Sequence, residues 1–114
     1  MKLFRHATYK PHQVVAGGKQ YSLILDGGLE LSAIQGMGSA KESGIYGNVF
    51  NGTFEVAVFD DNDETLPLSA SSDTLSYQTE EEIDQLLTEI QNNRDAFFEK
   101  IKKDRHRHMK EMES

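Results

Sequence analysis

The sequence predicts an α+β fold in one domain, residues 1–114, with an N-terminal antiparallel sheet followed by a C-terminal helical region. Two observations support this prediction. From Met1 to about Ser69, apolar residues recur with the period of two that is typical of strands, and glycine pairs separate the segments. From Thr79 the period changes to three and four, which indicates helix over 79–112. A chain of this length suffices for a single core.

The clearest strand pair is the β-hairpin around Gly27-Gly28. The segments "YSLILD" (21–26) and "LELSAIQ" (29–35) alternate apolar and polar residues on either side of this dipeptide. Glycine readily adopts the positive φ angles that a tight hairpin turn requires. The pattern therefore predicts two antiparallel neighbouring strands joined by this turn.

Two further dipeptides indicate turns in the same region. Gly17-Gly18 follows "HQVVA" (12–16) and can turn it into the strand that begins at Lys19. Asn51-Gly52, a favoured type I′ turn, is expected to join a strand over 44–50 to the strand from Thr53. These three turn signals predict a meander or a Greek key.

The strand that begins at Thr53 predicts a sheet with one covered face. Phe54, Val56 and Val58 point to one side, whereas Glu55 and Ala57 point to the other. An antiparallel sheet commonly buries one face and leaves the other solvated. A helix is expected to cover the apolar face.

The sequence "TEEE" at Thr79 is a capping box that marks the start of this helix. The Thr79 hydroxyl can accept from the Glu82 amide while the Glu82 carboxylate accepts from the Thr79 amide. An apolar stripe then follows at helical spacing, formed by Ile83, Leu86, Leu87 and Ile90. Such a stripe suits a helix that packs on the sheet.

The helical region can form one long helix or two consecutive helices. Asn92-Asn93 favours a break, because Asn is a poor residue for a helix interior and a fair C-cap. A continuous helix to Met112 would be about 50 Å long, too long to lie wholly on its own sheet. The second half would then fold back or pair with another subunit. We expect a homodimer formed through the C-terminal helices.

Composition excludes several classes of protein. The chain has no cysteine, which excludes disulfides, thiolate catalysis and Cys-ligated metals. A net charge of −7 disfavours duplex nucleic acid as a partner. The sequence has neither the apolar run of a signal peptide nor a membrane span, so we expect a cytoplasmic protein without a membrane partner.

No motif indicates an enzyme, a cofactor or a metal. The sequence lacks a nucleophile elbow and a helical HExxH motif, and no pair of carboxylates has a local spacing that would bring it together in an apolar cleft. His106 and His108 are two positions apart, so on a helix they point about 200° apart and cannot share a metal ion. We therefore expect a binding protein with no catalytic residues, no metal site and no cofactor.

The helical stripe past Ile90 combines cationic and apolar side chains. It continues through Arg94, Phe97, Ile101, Arg105, His108 and Met112. In one interpretation the arginine stems cover apolar surface while their charged groups remain in water. In the other, Phe rings stack on a base and guanidinium groups bind the phosphates of a single nucleotide. The sequence alone leaves both open.

The loop "GMGSAKESG" (36–44) is a second candidate for anion binding. Its glycines, among them Gly38, expose backbone amides, Ser39 adds a donor and Lys41 adds a positive charge. The spacing fits neither a Walker motif nor a dinucleotide fingerprint. A flexible loop without a ligand is the alternative.

Several motifs resemble those of a widespread group of small bacteriophage proteins. They are "LDGGLELSAIQG", then "GTFEVAVFDD", then "SDTLSYQTEEEIDQLLTEIQ", in this order over most of residues 20–92. The resemblance implies phage origin and an antiparallel sheet that leads into a helix.

The predicted architecture is also similar to the Thoeris anti-defence proteins of phages, which sequester cyclic ADP-ribose signals made by host TIR enzymes. In that family, aromatic, Asn and Arg side chains of the helical region hold the nucleotide at a subunit interface without cutting it. The matching residue types here are Asn92, Phe97 or Phe98, Arg105 and Arg107.

The resemblance implies a phage counter-defence protein that sequesters a small cyclic nucleotide in the host cytoplasm. We expect stacking by Phe97 or Phe98, and polar contacts from Asn92. The expected phosphate contacts are Arg94, Arg105 and Arg107, with closure by the loop that contains Gly38 and Lys41.

A second hypothesis rests on charge. Residues 58–93 contain ten acidic residues and no Lys or Arg. Such a surface is typical of an inhibitor that mimics DNA and binds a host defence protein or a host nucleic-acid-processing protein.

Overall fold

A computed structural model, which describes residues 1–113, has a five-stranded antiparallel sheet followed by two C-terminal helices. The strands are β1 (Thr8–Pro11), β2 (Lys19–Ile24), β3 (Glu30–Gln35), β4 (Phe54–Phe59) and β5 (Thr74–Gln78). The helices are α1 (Ala40–Ser43), α2 (Glu80–Asn92) and α3 (Arg94–Glu113). The strand order in the sheet is the chain order, so the sheet is a meander and not a Greek key.

The hairpin around Gly27-Gly28 is confirmed. Both glycines have positive φ angles, 82° and 81°, and the Leu25 amide donates to the Leu29 carbonyl at 2.7 Å. Leu23 and Leu31 are paired across the two strands on the same side of the sheet. This register puts the apolar residues of both strands on one face.

The first strand lies earlier in the chain than the sequence predicts. We expected a strand over 12–16, but the strand is Thr8–Pro11 and the following residues form a turn. The cause is His12, whose Nδ1 accepts from the amides of Val14 and Val15 at 3.2 and 3.1 Å. These bonds bend the backbone away from the extended conformation that a strand needs.

The predicted strand over 44–50 was also wrong. Asn48 and Thr53 exchange two main-chain hydrogen bonds of 2.9 and 3.1 Å, but a 3₁₀ turn at Val49–Asn51 lies between them. The Asn48 side chain caps this turn by accepting from the Phe50 amide at 2.7 Å. Asn48 and Thr53 are thus the one residue pair next to this turn that is bonded in the manner of a hairpin, and no strand forms before the turn. β4 pairs with β3.

The sheet extends beyond Ser69, where we expected it to end. β5 pairs with β4 through Thr74 opposite Ala57 and Leu75 opposite Val56. The connecting loop is ordered by the Asp60 carboxylate, which accepts from the amides of Asn62 and Glu64. β5 is the last strand of the meander and leads directly into α2.

The core lies between one face of the sheet and α2, as the single apolar face predicts. Val56 and Val58 are fully buried, and so are Ile83 and Leu87 on the helix. Phe4 covers the end of the same face, with its ring 4.9 Å from that of Phe54. No helix within residues 1–113 is long and apolar enough to cross a lipid bilayer.

The helical region consists of two helices with a break at Asn93. The capping box is present: the Thr79 hydroxyl accepts from the Glu82 amide at 3.2 Å, and the Glu82 carboxylate accepts from the Thr79 amide at 3.1 Å. Asn93 has non-helical angles, φ −160° and ψ 89°, and its Oδ1 accepts from the Ala96 amide at 3.1 Å. Asn93 therefore ends α2 and also caps α3.

Candidate functional site

A groove of about 810 Å³ lies between α2, α3 and the segment 68–78. Because α3 leaves α2 at Asn93, the two helices diverge and the groove opens between them. Its apolar wall is formed by Leu75, Leu86, Phe97 and Ile101. A groove of this volume can hold a small organic ligand.

Phe97 supplies the aromatic surface of the groove. Its side chain is half-buried, whereas the adjacent Phe98 is only 8 % exposed and belongs to the core. The two rings are perpendicular with centroids 5.0 Å apart. Phe98 thus packs against the Phe97 ring from the core side. Of these two candidates, only Phe97 lines the groove.

Polar side chains surround this aromatic wall. Four carboxamides contribute, from Gln78, Gln85, Asn92 and Asn93. Amide side chains carry both donors and acceptors, so they can read the edge of a planar heterocycle. Of the residues predicted for a ligand, Asn92 and Phe97 therefore lie in the same groove.

The groove has an acidic balance. Three carboxylates line it, those of Glu82, Glu89 and Asp104, against one ammonium group, that of Lys100. Its field attracts cationic groups and repels anions, so a phosphate would have to bind beside a cation of the lining. Within a single chain, Lys100 is the one cation in the groove lining that could contact a phosphate.

Arg94 lies outside this groove, at the β2–β3 hairpin. Its Nη1 donates to the Gly27 carbonyl at 3.2 Å. The side chain borders a smaller hollow together with Asp26 and Gln91. Arg94 therefore joins the start of α3 to the sheet.

Arg105 is engaged within the domain. Its Nη2 donates to Asp73 Oδ1 at 2.9 Å and to the Ser69 carbonyl at 3.2 Å. Ile101, one turn earlier, is buried against the same region. These contacts keep α3 on its own domain as far as Arg105. The second helix therefore folds back onto its own chain.

Arg107 points into solvent further along α3. Its side chain is 71 % exposed, and its closest carboxylate is that of Asp104 at 3.9 Å. Arg107 does not line the groove of its own chain.

Gly38 and Lys41 lie at the opposite end of the sheet from Arg94. β3 runs from the Gly28 end to Gln35, and the loop follows it, so a strand of roughly 17 Å separates the two regions. In the loop, Ser39 caps the four-residue α1 by accepting from the Glu42 amide at 3.4 Å, and its carbonyl accepts from the Ser43 amide at 3.0 Å. These amides are thus already bonded. The eight predicted residues do not converge on one site.

The groove contains residues that the sequence did not single out, including Gln85, Glu89 and Lys100. Lys100 lies on the α3 face that Phe97 and Asp104 share, at spacings of three and four. This spacing is visible in the sequence. It becomes informative only when the angle between the two helices is known.

Within residues 1–113, no three His, Asp or Glu side chains are grouped so that they could hold a metal ion. His106 and His108 are both exposed on α3. Comparison with known protein families, curated proteins and solved structures finds no match to this chain. The function must therefore be inferred from the α+β fold and the groove.

Proposed function

We propose that this chain is a phage counter-defence protein that binds a small cyclic nucleotide signal in the α2–α3 groove and sequesters it without cleavage. One observation carries the proposal: the half-buried ring of Phe97 forms part of a groove that is also lined by the Asn92 and Asn93 amides. An aromatic face next to amide groups suits a nucleobase, which stacks on the ring and is read at its edge. The resemblance to Thoeris anti-defence proteins supports the same class of ligand.

Five polar side chains of the groove have a role in this proposal. Asn92 and Gln85 bond the edge of the base, and Lys100 contacts a phosphate. The carboxylates of Glu82 and Glu89 accept from ribose hydroxyls. Arg105 holds α3 to the loop that contains Asp73 and is not part of the ligand site.

Stacking on Phe97 is expected to supply a measurable part of the binding free energy. Binding at 1 μM requires about −8.2 kcal/mol. Base stacking on one aromatic side chain contributes ~1–3 kcal/mol by alanine substitution. Each hydrogen bond adds about 1 kcal/mol, and more where a charged group takes part. Loss of the Phe97 ring should therefore weaken binding roughly 5- to 150-fold.

Calorimetric titration with cyclic ADP-ribose and its isomers tests the proposal. Wild-type protein should release heat and saturate, and Phe97→Ala should bind more weakly by the factor given above. Phe50→Ala is the matched control, since Phe50 is 73 % exposed and lies outside the groove. No heat with any cyclic nucleotide at tens of micromolar would exclude the proposal.

A second candidate is the acidic inhibitor that mimics DNA. It is favoured by the exposed Glu80 and Glu81 in the first turn of α2 and by the exposed acidic turn at 60–64. These two clusters lie at opposite ends of β4, roughly 17 Å apart, so a partner would have to contact both ends of the sheet.

Pull-down from host lysate distinguishes the two candidates. If the protein is an acidic inhibitor, Glu80→Lys with Glu81→Lys should abolish capture of a partner, whereas Phe97→Ala should not. If it binds a nucleotide, the charge reversals should leave the calorimetric affinity unchanged, because neither residue lines the groove.

A further inference from the structure

We infer that Tyr46, Tyr77 and Glu55 form a surface site for an arginine side chain of a polypeptide other than this chain. None of the three residues lines the α2–α3 groove, so the inference does not depend on a nucleotide ligand. It rests on the geometry of the two rings, on the charge of the carboxylate beside them and on the backbone conformation of Tyr77.

The two tyrosine rings form a right-angled corner at the protein surface. Their centroids are 6.2 Å apart, and the angle between the ring planes is 87°. Tyr46 is 51 % exposed and Tyr77 is 50 % exposed, so each ring keeps about half of its surface for a partner. The backbone holds the two residues together, because the Tyr77 amide donates to the Tyr46 carbonyl at 2.8 Å.

The carboxylate of Glu55 lies beside this corner. Its Oε1 accepts from the Tyr46 amide at 3.0 Å, which leaves Oε2 for another donor. Within residues 1–113, Glu55 forms no ion pair. Residues 42–93, which include all three groups, contain no Lys, Arg or His. The negative charge therefore has no counter-charge nearby in the sequence, and the corner favours a cationic partner.

The backbone of Tyr77 is strained. The pairing of β4 with β5 shifts at Glu55, which lies opposite two residues of β5, Ser76 and Tyr77, as in a β-bulge. Tyr77 has a φ angle of 54°, a conformation that glycine adopts freely and that costs free energy for a bulky side chain. Strain of this kind is typical of binding sites. A tyrosine at a position that suits glycine indicates that the ring is needed there.

Arginine fits these three groups better than other cations do. Its guanidinium group is planar, so one face can stack on a tyrosine ring while the second ring contacts its edge. Its N–H groups can then donate to Oε2 of Glu55. The corner is open to solvent, so a small free cation would make few contacts. An arginine within a polypeptide gains further contacts from its neighbours, which favours a polypeptide as the partner.

NMR titration of the isotope-labelled full chain tests the inference. The probe is a capped tripeptide with arginine between two glycines, and its control contains citrulline, which has nearly the same shape but no charge. The arginine peptide should shift the amide signals of Tyr46 and Tyr77, and the citrulline peptide should bind more weakly. Glu55→Gln keeps an acceptor for the Tyr46 amide but removes the charge, so affinity should fall about 2- to 5-fold. Tyr77→Ala should weaken binding by roughly 2- to 5-fold.

Two variants are matched controls for these effects. Tyr9→Ala removes a ring that is 51 % exposed on β1, at the opposite edge of the sheet from β5. Glu30→Gln removes the same charge as Glu55→Gln from a half-buried position on β3. Neither control should change the affinity for the arginine peptide.

Tyr77→Gly separates binding from stability. It removes both the ring and the strain, so affinity should fall while the thermal unfolding temperature stays the same or rises. The inference is overturned if the arginine peptide leaves both tyrosine signals unmoved, if the citrulline peptide binds equally well, or if Tyr77→Gly is less stable than wild type, since the ring would then serve the fold. Tyrosine signals that move on dilution without peptide would make a second copy of this chain the occupant and overturn the assignment to another polypeptide. Failure here leaves the nucleotide titration unaffected, because the site lies outside the groove.

Discussion

Arg105 on α3 and Asp73 in the loop before β5 form an ion pair, with Nη2 2.9 Å from Oδ1. The same Nη2 donates to the Ser69 carbonyl at 3.2 Å. Among the described residues, the buried Nε of Arg105 has no hydrogen-bond partner. The pair is 33 % and 41 % exposed, so it joins α3 to the sheet at the protein surface and not in the core.

Removal of Arg105 should lower the free energy of unfolding. Arg105→Ala loses the ion pair, the bond to Ser69 and the packing of the side-chain stem, and we expect a loss of ~1–2 kcal/mol. Arg105→Met keeps the stem and removes the unpaired Nε, so it should cost less. Urea denaturation measures both values, with Arg107→Ala as the exposed control, expected within about 0.5 kcal/mol of wild type. Equal losses for Arg105→Met and Arg105→Ala would show that packing contributes little.

A side chain at Gly27 should lower the free energy of unfolding, for two separable reasons. Its φ angle is 82°, and a Cβ there would overlap Nη1 of Arg94. Gly52 has a φ angle of 65° but open space around it, so Gly52→Ala isolates the cost of the backbone conformation, about 1 kcal/mol. Gly27→Ala should lower the free energy of unfolding by more than Gly52→Ala does.

The double variant Gly27→Ala with Arg94→Ala tests whether the additional destabilisation by Gly27→Ala comes from the overlap with Arg94. Without the guanidinium, the methyl group has space, so the two substitutions together should cost less than the sum of their separate effects. Thermal and urea unfolding of the four proteins in this cycle measure the coupling. Strict additivity would mean that Arg94 moves aside at no cost.

The Thr79 capping box should contribute measurably to stability. Thr79→Ala removes the hydroxyl that accepts from the Glu82 amide, and N-cap substitutions of this kind cost ~1 kcal/mol. Thr88→Ala is the matched control inside α2, where the hydroxyl donates to the Asp84 carbonyl. Alanine is the better helix former at this position, so the free energy of unfolding should be unchanged or slightly higher. Equal destabilisation by both variants would contradict a specific role for the cap.

Local chemistry made part of the fold predictable from sequence. The Gly27-Gly28 hairpin, the Thr79 cap and the break at Asn92-Asn93 each depend on residues close in the chain, and all three are confirmed. In the two segments that were wrongly predicted as strands, a side chain accepts a hydrogen bond from a nearby backbone amide. His12 bends the backbone over residues 12–15, and Asn48 caps a 3₁₀ turn. A glycine turn signal cannot reveal that a neighbouring imidazole or amide competes with strand pairing.

The groove was predictable only in part, because it depends on how the helices lie in space. Phe97 was identified from helical spacing and Asn92 from the resemblance to a known family, and both line the groove. The same spacing also selected Arg105, which instead bonds Asp73, thirty-two positions away in sequence. Pairings at such separation leave no periodic signal in the sequence. The loop with Gly38 and Lys41 has the composition of an anion site, yet Ser39 accepts from two of its amides, those of Glu42 and Ser43.

Asn93 should control the angle between α2 and α3, and hence the groove. Joining the 13 residues of α2 to the 20 of α3 would give a helix of about 50 Å, longer than the 42 Å extent of the domain. Such a helix would pull Phe98 and Ile101 out of the core. Asn93→Ala removes the α3 cap and also favours helix at the break. Both effects disfavour the native bend between α2 and α3.

We expect Asn93→Ala to lower the free energy of unfolding by about 1 kcal/mol, as for other N-cap losses. It should also weaken any ligand that contacts Phe97, because the two walls of the groove would no longer be held at a fixed angle. Asn92→Ala is the control for stability alone: Asn92 is the last residue of α2, so alanine there should be neutral or mildly stabilising, whereas ligand affinity is not compared because Asn92 lines the groove. Urea denaturation followed by circular dichroism measures the stability of both variants, and calorimetric titration measures the ligand affinity of Asn93→Ala. A rise in helical signal for Asn93→Ala without loss of stability would contradict this prediction, because it would mean that the chain accepts a continuous helix and needs neither the cap nor the packing of Phe98 and Ile101.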